Sequence, residues 1–398
     1  MSRIDELIAE LCPDGVLFEP ISAVVQAVGT VRWAAVAGAE YDYIDLTSVG
    51  RITHVISDTQ TITQKDAPSR AQQVVRQGDV IFGTTRPTLK RYCMIPAEYD
   101  GQIASTGYCV LRPRPDRVLT SFLFHLLGTA EFYAFVEANQ RGASYPSIPD
   151  KTVKEYRIPV PPLEVQREIV RVLDAFAELE AELEAELEAR RRQYAYYRDA
   201  LLTFPEGGVR WATLGDIGRV AMCKRVFKEE TANVGEIPFY KIGTFGGAAD
   251  AFISRDLFED YRTRYSFPRQ GDVLISAAGT IGRAIPYDGA DAYFQDSNIV
   301  WIENDESVVS NRFLWYWYQI VDWATDGGTI RRLYNENVRR TRIAIPSLAE
   351  QARIVSILDK FGELVNDLSS GLPAELAARR KQYEYYRDRL LTFKETVA

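Results

Sequence analysis

RRQYAYYRDALLTF at residues 191–204 returns as RKQYEYYRDRLLTF at residues 380–393, with eleven of fourteen positions identical. Just upstream, RIPVPPLEVQREIVRVLDAF (157–176) returns as RIAIPSLAEQARIVSILDKF (342–361). The second copy carries four more residues between the two segments. Fainter echoes lie further out. PDGVLFEPI (13–21) matches EGGVRWATL (206–214), and GDVIFGTT (78–85) matches GDVLISAA (271–278). The period is too long for a solenoid, whose repeats run to a few tens of residues. The chain is therefore two tandem copies of one plan, each a variable globular block followed by a helical block.

The helical blocks are written in their apolar spacing. After Pro161 and Pro162, residues suited to a helix's first turn, apolar residues fall at Val165, Ile169, Val172, Phe176, Leu179, Leu183, Leu187, Tyr194, Tyr197 and Leu201. Steps of three and four make a heptad-like seam. About 40 residues at 1.5 Å each give a rod of roughly 60 Å. The second copy repeats the pattern at Ile354, Ile357, Phe361, Leu364, Leu368, Tyr383 and Tyr386. Gly371 and Pro373 lie inside its four-residue insertion, so a kink or break is expected there. A narrow apolar stripe needs a partner. Antiparallel pairing of the two rods within one chain is the expectation. Packing of each rod on its own block, or pairing between chains, stays open.

The globular blocks read as mixed α and β. GDVIFG, GYCVLRP, GDVLIS and NIVWIEN are short β-rich runs between Gly- and Asp-rich turns. Residues 122–139 have helical spacing, and 313–325 are their counterpart. The expected fold class is α+β: two globular domains joined by two long helices in an antiparallel coiled coil, with a pseudo-two-fold internal repeat. The expected boundaries are an N-terminal segment at 1–15, globular domains at 16–160 and 205–345, and helical regions at 161–204 and 346–398.

Composition excludes several classes. The chain has 398 residues, 46% hydrophobic, with a net charge of −8. Six of the negative charges belong to one stretch, ELEAELEAELE at 178–188, which leaves the remainder near neutral. Four cysteines without C-x-x-C spacing argue against a disulfide framework or structural zinc, and suit a reducing compartment. Two histidines, His54 and His125, leave little for a metal centre or triad. The opening residues, with Asp5, Glu6 and Glu10, lack the basic start and apolar run of a leader. No apolar run reaches the ~18 residues of a membrane span. A cytoplasmic chain is expected. Nucleotide-cradle, methyltransferase, hydrolase-elbow and zinc-protease motifs are all absent.

What remains are polar, basic and aromatic loops. In the first block they are Thr84, Thr85, Arg86, Lys90 and Arg91, then Arg112, Arg114 and Arg117, then RGASYPS (141–147) with Ser144 and Tyr145. In the second they are Lys224, Arg225 and Lys228, then Thr280 and Arg283, then Gln295, Ser297 and Asn298. Arg331, Arg332, Tyr334, Asn335, Arg339 and Arg340 follow. Such side chains supply forked or paired hydrogen bonds to base edges, and Arg and Lys also anchor phosphates. Solvated loop charge is the competing reading of each cluster.

The duplicated segments, the opening IDELIAELCPDGV and the SYPSI stretch before the first helix resemble the conserved regions of type I restriction–modification specificity subunits. The resemblance covers essentially the whole chain. It implies two target-recognition domains, each reading half of a bipartite sequence in double-stranded DNA, with the helices as a ruler between them. It also implies docking of two methyltransferase subunits, a complex that can recruit restriction subunits, and no catalysis in this chain. S-adenosylmethionine, ATP and magnesium would belong to the partners. Two other readings stand beside it: a two-headed coiled-coil scaffold that binds proteins, and an enzyme with an unrecognised site. The Gly371–Pro373 interruption puts exact spacer symmetry in doubt.

Overall fold

A computed structural model describes residues 3–36, 38–325, 331–367 and 370–396. It divides into two compact units, residues 1–184 with 375–398, and residues 185–374. The first unit is discontinuous because the C-terminal helix, Leu372–Leu390, lies almost wholly within it.

In the first unit one sheet has the order Val25–Gln26, Tyr108–Pro113, Val80–Gly83, Tyr92–Met94, antiparallel throughout. GDVIFG is almost continuously apolar because both faces of this strand are covered. Val80 and Phe82 point into one core with Leu111 and Phe122, while Ile81 points into another with Cys93 and Val110. The second sheet has the order Gln60–Ile62, Tyr41–Ile44, Ile103–Ser105, Ala71–Val74, its middle pair parallel. The second unit repeats this plan. Gly218–Ala221, Ile299–Asn304, Val273–Ser276 and Ala284–Pro286 form the first sheet. Phe252–Ile253, Ile237–Tyr240 and Tyr293–Phe294 form the second, again with one parallel pair. Leu274 and Val273 likewise face different cores.

Residues 122–139 are not one helix. Thr120–Leu126 and Ala130–Asn139 are separate. A side chain at Gly128 would come within 2.5 Å of the Tyr92 hydroxyl, and Thr129 caps the second helix by accepting the Phe132 N–H. The counterpart in the second unit is Asn311–Tyr318, shorter than its apolar run.

The duplicated proline-rich segments each close a small antiparallel ladder, Phe18–Pro20 with Arg157–Pro159 and Arg210–Thr213 with Arg342–Ile345. In each, a fully buried glutamine then locks the start of the long helix to the globular block. Gln166 Oε1 accepts the N–H of Leu119, and its Nε2 donates to the carbonyls of Arg117 and Pro161. Gln351 does the same with the N–H of Ser310 and the carbonyls of Val308 and Pro346. Leu119 and Ser310 are the N-cap residues of equivalent helices.

The first long helix runs unbroken from Leu163 to Leu201, 39 residues. The second breaks where glycine and proline enter, with Leu348–Asn366 ending before Leu372–Leu390 begins. The seam needs correction in phase. Val165, Ile169, Leu173, Ile354, Leu358 and Val365 are buried, whereas Ile357 and Leu364 are exposed and Leu179 is 51% exposed; Tyr197 is exposed as well, yet its ring reaches Phe361. A helix packed on a globule keeps its 3.6-residue period, so the buried stripe drifts away from a strict heptad seam. Val172, Phe176, Leu183, Tyr194, Phe361, Tyr383 and Tyr386 are half-buried and Leu187 is buried. Leu368 lies outside the described residues. Val165, Ile169 and Leu173 belong to the core of the first block, so the helix's first turns do pack on their own domain.

Further along, helix meets helix inside each unit. In the first, Phe176 stacks on Tyr386 at 5.4 Å, and Arg380 pairs with Glu180 at 2.6 Å and with Glu184. As one helix advances from 176 to 184, the other retreats from 386 to 380. In the second unit, Tyr194 and Tyr197 pack on Phe361. Buried His125 bridges the helices of the first unit to its block, bonded through Nε2 to Asp174 and through Nδ1 to Tyr383. In the second unit Asp359 accepts from the Tyr316 hydroxyl and pairs with Arg312.

Candidate nucleic-acid interface

Three segments converge in each unit, and the same backbone contacts bring them together. In the first unit the strand Val80–Gly83 runs out into Thr84. The N–H of Thr84 donates to the carbonyl of Gly107, and its own carbonyl accepts from Ile148. In the second, Ala277 follows the strand Val273–Ser276. Its N–H donates to Asn298 and its carbonyl accepts from Leu333. Strand end, inter-strand turn and the loop before the last short helix thus meet at one edge twice over.

In the first unit this edge is a hairpin loop against the 141–147 loop. Arg86 and Lys90 take left-handed backbone conformations on either side of a turn at Pro87–Leu89. The Arg86 N–H donates to Pro146, Thr85 bridges to Ser147, and Arg141 and Ser147 exchange both backbone bonds. The Arg86 guanidinium lies 4.5 Å over the Tyr145 ring, and Tyr145 is 71% exposed. Lys90 Nζ lies 5.0 Å from the Tyr133 ring. Arg86, Lys90, Ser144 and Tyr145 are exposed, with Thr85 and Arg91 half-buried. Thr84 is a correction. It is buried, and its hydroxyl donates to the Gly107 carbonyl at 2.9 Å, so it holds the frame and has no face to offer. Three arginines named with it are also committed. Arg112 donates from Nε and Nη2 to both oxygens of Asp79, Arg117 pairs with Glu19, and Arg114 reaches the Val25 carbonyl. The Asp79 hydrogen bonds hold the Arg112 guanidinium above its ordinary pKa.

In the second unit the edge encloses a cleft of about 590 Å³. Arg225, Gln295, Ser297, Asn298 and Arg332, far apart in sequence, all line it. Arg225 pairs with Asp296 at 2.8 Å. Ser297 sits at φ 47, and Arg332 Nη2 donates to the Ser297 carbonyl, the Ser297 hydroxyl and Asn298 Oδ1. Lys224 is exposed and does not line the cleft, its ammonium lying 5.2 Å from the Tyr265 ring. Thr280 and Arg283 flank a smaller neighbouring hollow of about 190 Å³, with Arg283 donating to the Phe245 carbonyl. Tyr334 and Arg331 are exposed, and Tyr334 lies 6.0 Å from the Arg332 guanidinium. Arg339 and Arg340 instead pair with Glu336 on their own helix. Sequence reasoning missed Phe227, Asn233 and Lys241, which complete the cleft wall. Phe227 is 56% exposed, and an apolar aromatic one residue from a named lysine was the available signal.

Among the described residues, no group of three or more His, Cys, Asp or Glu is placed to hold a metal ion. The four cysteines are buried free thiols. No described helix is long and apolar enough to cross a membrane.

A family model for the type I restriction modification DNA specificity domain matches the chain twice, at residues 39–189 and 208–378. A Haemophilus influenzae chain named as a type I restriction enzyme specificity subunit, S.HindORF215P, is 49% identical over 287 residues. The match covers 70% of this chain and 73% of that one. The specificity subunit of Escherichia coli EcoR124I/EcoR124II is 35% identical over 269 residues, covering 61% and 65%. A chain in a solved structure described as "Structural basis underlying complex assembly and conformational transition of the type I R-M system" superposes with a TM-score of 0.68. It is 26% identical, over 95% of this chain and 98% of that chain. Two matched domains, each ending its variable block in the same three-segment edge, make this chain a member of the type I restriction–modification specificity subunit family, a non-catalytic subunit.

Proposed function

We propose that the chain reads a bipartite sequence in double-stranded DNA, one half-site through each unit. The observation that carries this is the duplicated edge. The same frame presents different side chains in each copy, Arg86 with Tyr145 in one and the Arg225–Asn298–Arg332 cleft in the other. Arginine, asparagine and glutamine are the side chains that read base edges, and exposed aromatics and cations add stacking and phosphate contacts. The helix-to-helix contacts within each unit support an antiparallel coiled coil that sets the spacing between half-sites. Two equivalent helical faces suit two methyltransferase subunits, with restriction subunits joining that complex. S-adenosylmethionine, ATP and magnesium belong to those partners, and the assembly works in the cytoplasm.

With a net charge of −8, this chain alone binds DNA weakly and with strong salt sensitivity. Tight specific binding needs the partners. The modular test is exchange of residues 16–156 for the block of another family member, read by methylome sequencing with the partner subunits. One half of the target changes. A change in both halves, or in neither, refutes the reading. Deleting residues 369–372 alters the tolerated spacer and leaves both half-sites intact; a variant with changed base preference and unchanged spacing refutes the ruler.

A further inference from the structure

The turn at residues 295–298 has its acceptor groups turned inward. Gln295 Oε1 accepts the backbone N–H of Ile242 at 2.9 Å. A backbone N–H only donates, so the carboxamide has one allowed orientation and Nε2 is left over. Arg332 imposes the same polarity on its neighbours, because a guanidinium also only donates. Its Nη2 gives one N–H to the Ser297 hydroxyl oxygen at 2.9 Å and shares the other between the Ser297 carbonyl at 3.2 Å and Asn298 Oδ1 at 3.3 Å. The remaining donors, Gln295 Nε2, the Ser297 hydroxyl proton and Asn298 Nδ2, have no partner among the described residues, and all three side chains line the cleft. The two carboxylates there are held in ion pairs, Asp296 with Arg225 and Asp250 with Lys241, both at 2.8 Å.

A DNA major groove meeting this turn faces mostly donors. Guanine shows two acceptors there, O6 and N7. Thymine shows one acceptor, O4, beside its methyl group, adenine sets its N7 acceptor beside an N6 donor, and cytosine shows only the N4 donor, so guanine alone offers two adjacent acceptors to a row of donors. The paired contact that asparagine and glutamine commonly make to adenine uses the amide oxygen together with the nitrogen. Here that oxygen is already bonded. Resting on the DNA-reading role proposed above, we propose that the 295–298 turn reads guanine in the half-site of the second unit. Arg332 is its positioning residue, holding the turn in its left-handed conformation with the donors outward.

The variants Gln295→Glu and Asn298→Asp isolate this polarity. Each keeps an oxygen for Ile242 or Arg332 and replaces the free amino group with an anionic acceptor, whose charge weakens binding to every sequence alike, so discrimination between bases is the readout. In cells expressing the chain with its methyltransferase subunits, methylome sequencing should show guanine discrimination at one base pair of the second half-site falling about tenfold or more. The first half-site stays unchanged, which shows that the complex has assembled. With the purified wild-type complex, 7-deazaguanine in the second half-site, which lacks the N7 acceptor, weakens binding. Unchanged preference in both variants, or full affinity for DNA carrying 7-deazaguanine at every guanine of that half-site, overturns the inference. Exchange of residues 205–345 separates the two levels. If the exchange leaves the second half-site unaltered, the recognition role itself fails. If the exchange alters it and the point variants do not, only the guanine assignment falls.

Discussion

Replacing Gln166 with leucine removes one side chain and strands three backbone groups. The Leu119 N–H and the carbonyls of Arg117 and Pro161 lose their partner at 2.9, 2.9 and 2.8 Å, in a place with no access for water, since Gln166 is fully buried. A buried unsatisfied group costs about 1–3 kcal/mol. The N–H has no second option and takes the middle of that range, about 2 kcal/mol; the carbonyls, with two lone pairs each, add about 1 kcal/mol apiece. The leucine side chain returns about 1–2 kcal/mol of apolar burial. The net loss is about 2–3 kcal/mol, which for a unit of this size lowers the melting temperature by roughly 4–12 °C. Gln351→Leu does the same to the second unit, because Gln351 makes the same three bonds. Differential scanning calorimetry, with amide hydrogen exchange to locate the weakened unit, measures both. Each variant loosens its own block first. A shift under about 1 °C, or a Leu119 amide as protected in Gln166→Leu as in the parent, refutes the argument.

Three further outcomes follow from other contacts. Gly15→Ala forces a side chain onto φ +112 and within 2.6 Å of the Lys394 carbonyl. It costs about 1–3 kcal/mol and speeds exchange of the Val16 and Thr396 amides, which bond to the Lys394 and Val16 carbonyls; unchanged exchange means that those segments do not pair in solution. Arg112→Met leaves Asp79, 1% exposed, without its guanidinium and costs about 3–5 kcal/mol. The salt slope of DNA binding stays the same, whereas a slope reduced by about one with stability intact would make Arg112 a phosphate contact. His54 is pushed by burial from its ordinary pKa of 6.5 down to about 4. The unfolded chain therefore binds a proton between those values that the native one does not, so stability falls as pH drops from 6.5 to 4 and this contribution levels off below. His54→Asn, which tolerates the left-handed backbone at this position, removes that dependence. Equal pH sensitivity of urea midpoints in parent and variant contradicts the assignment.

The duplication, the long helices and the break at Gly371–Pro373 were legible because each is a local or periodic property. The exact helix phase was not. Val172 and Leu173 differ by one residue, and only the shape of the globular core decides which is buried. Heptad spacing favours Val172, while packing on a rounded block favours Leu173. The glutamine lock was visible as a shared letter in LEVQ and LAEQ, yet nothing local says that its partners lie at Leu119 and Ser310. The loop candidates were found by type and sorted only by geometry. Arg86 and Arg112 look alike in sequence. One stacks on an exposed tyrosine and the other faces a buried carboxylate, a difference set by pairing across the sheet.

The duplicated frame and the unlike edges have separate physical supports, which is why one can vary without the other. Gln166 and Gln351 bond only to backbone groups, so their partners persist whatever side chains the loops carry. The contacts that gather the edge, from Thr84 or Ala277 to the turn and the loop, are also backbone to backbone. Side chains enter only afterwards. At Thr84 the hydroxyl adds a second bond to Gly107, while Ala277 has no hydroxyl and Arg332 ties the turn together instead. A substitution at Arg86 or Tyr145 therefore changes what the edge presents without removing any backbone bond that shapes it, and one at Gln295 or Asn298 does so when it keeps an oxygen for Ile242 or Arg332. The two copies can drift toward different half-sites at little cost in stability, whereas drift at either buried glutamine loosens the block that holds the edge.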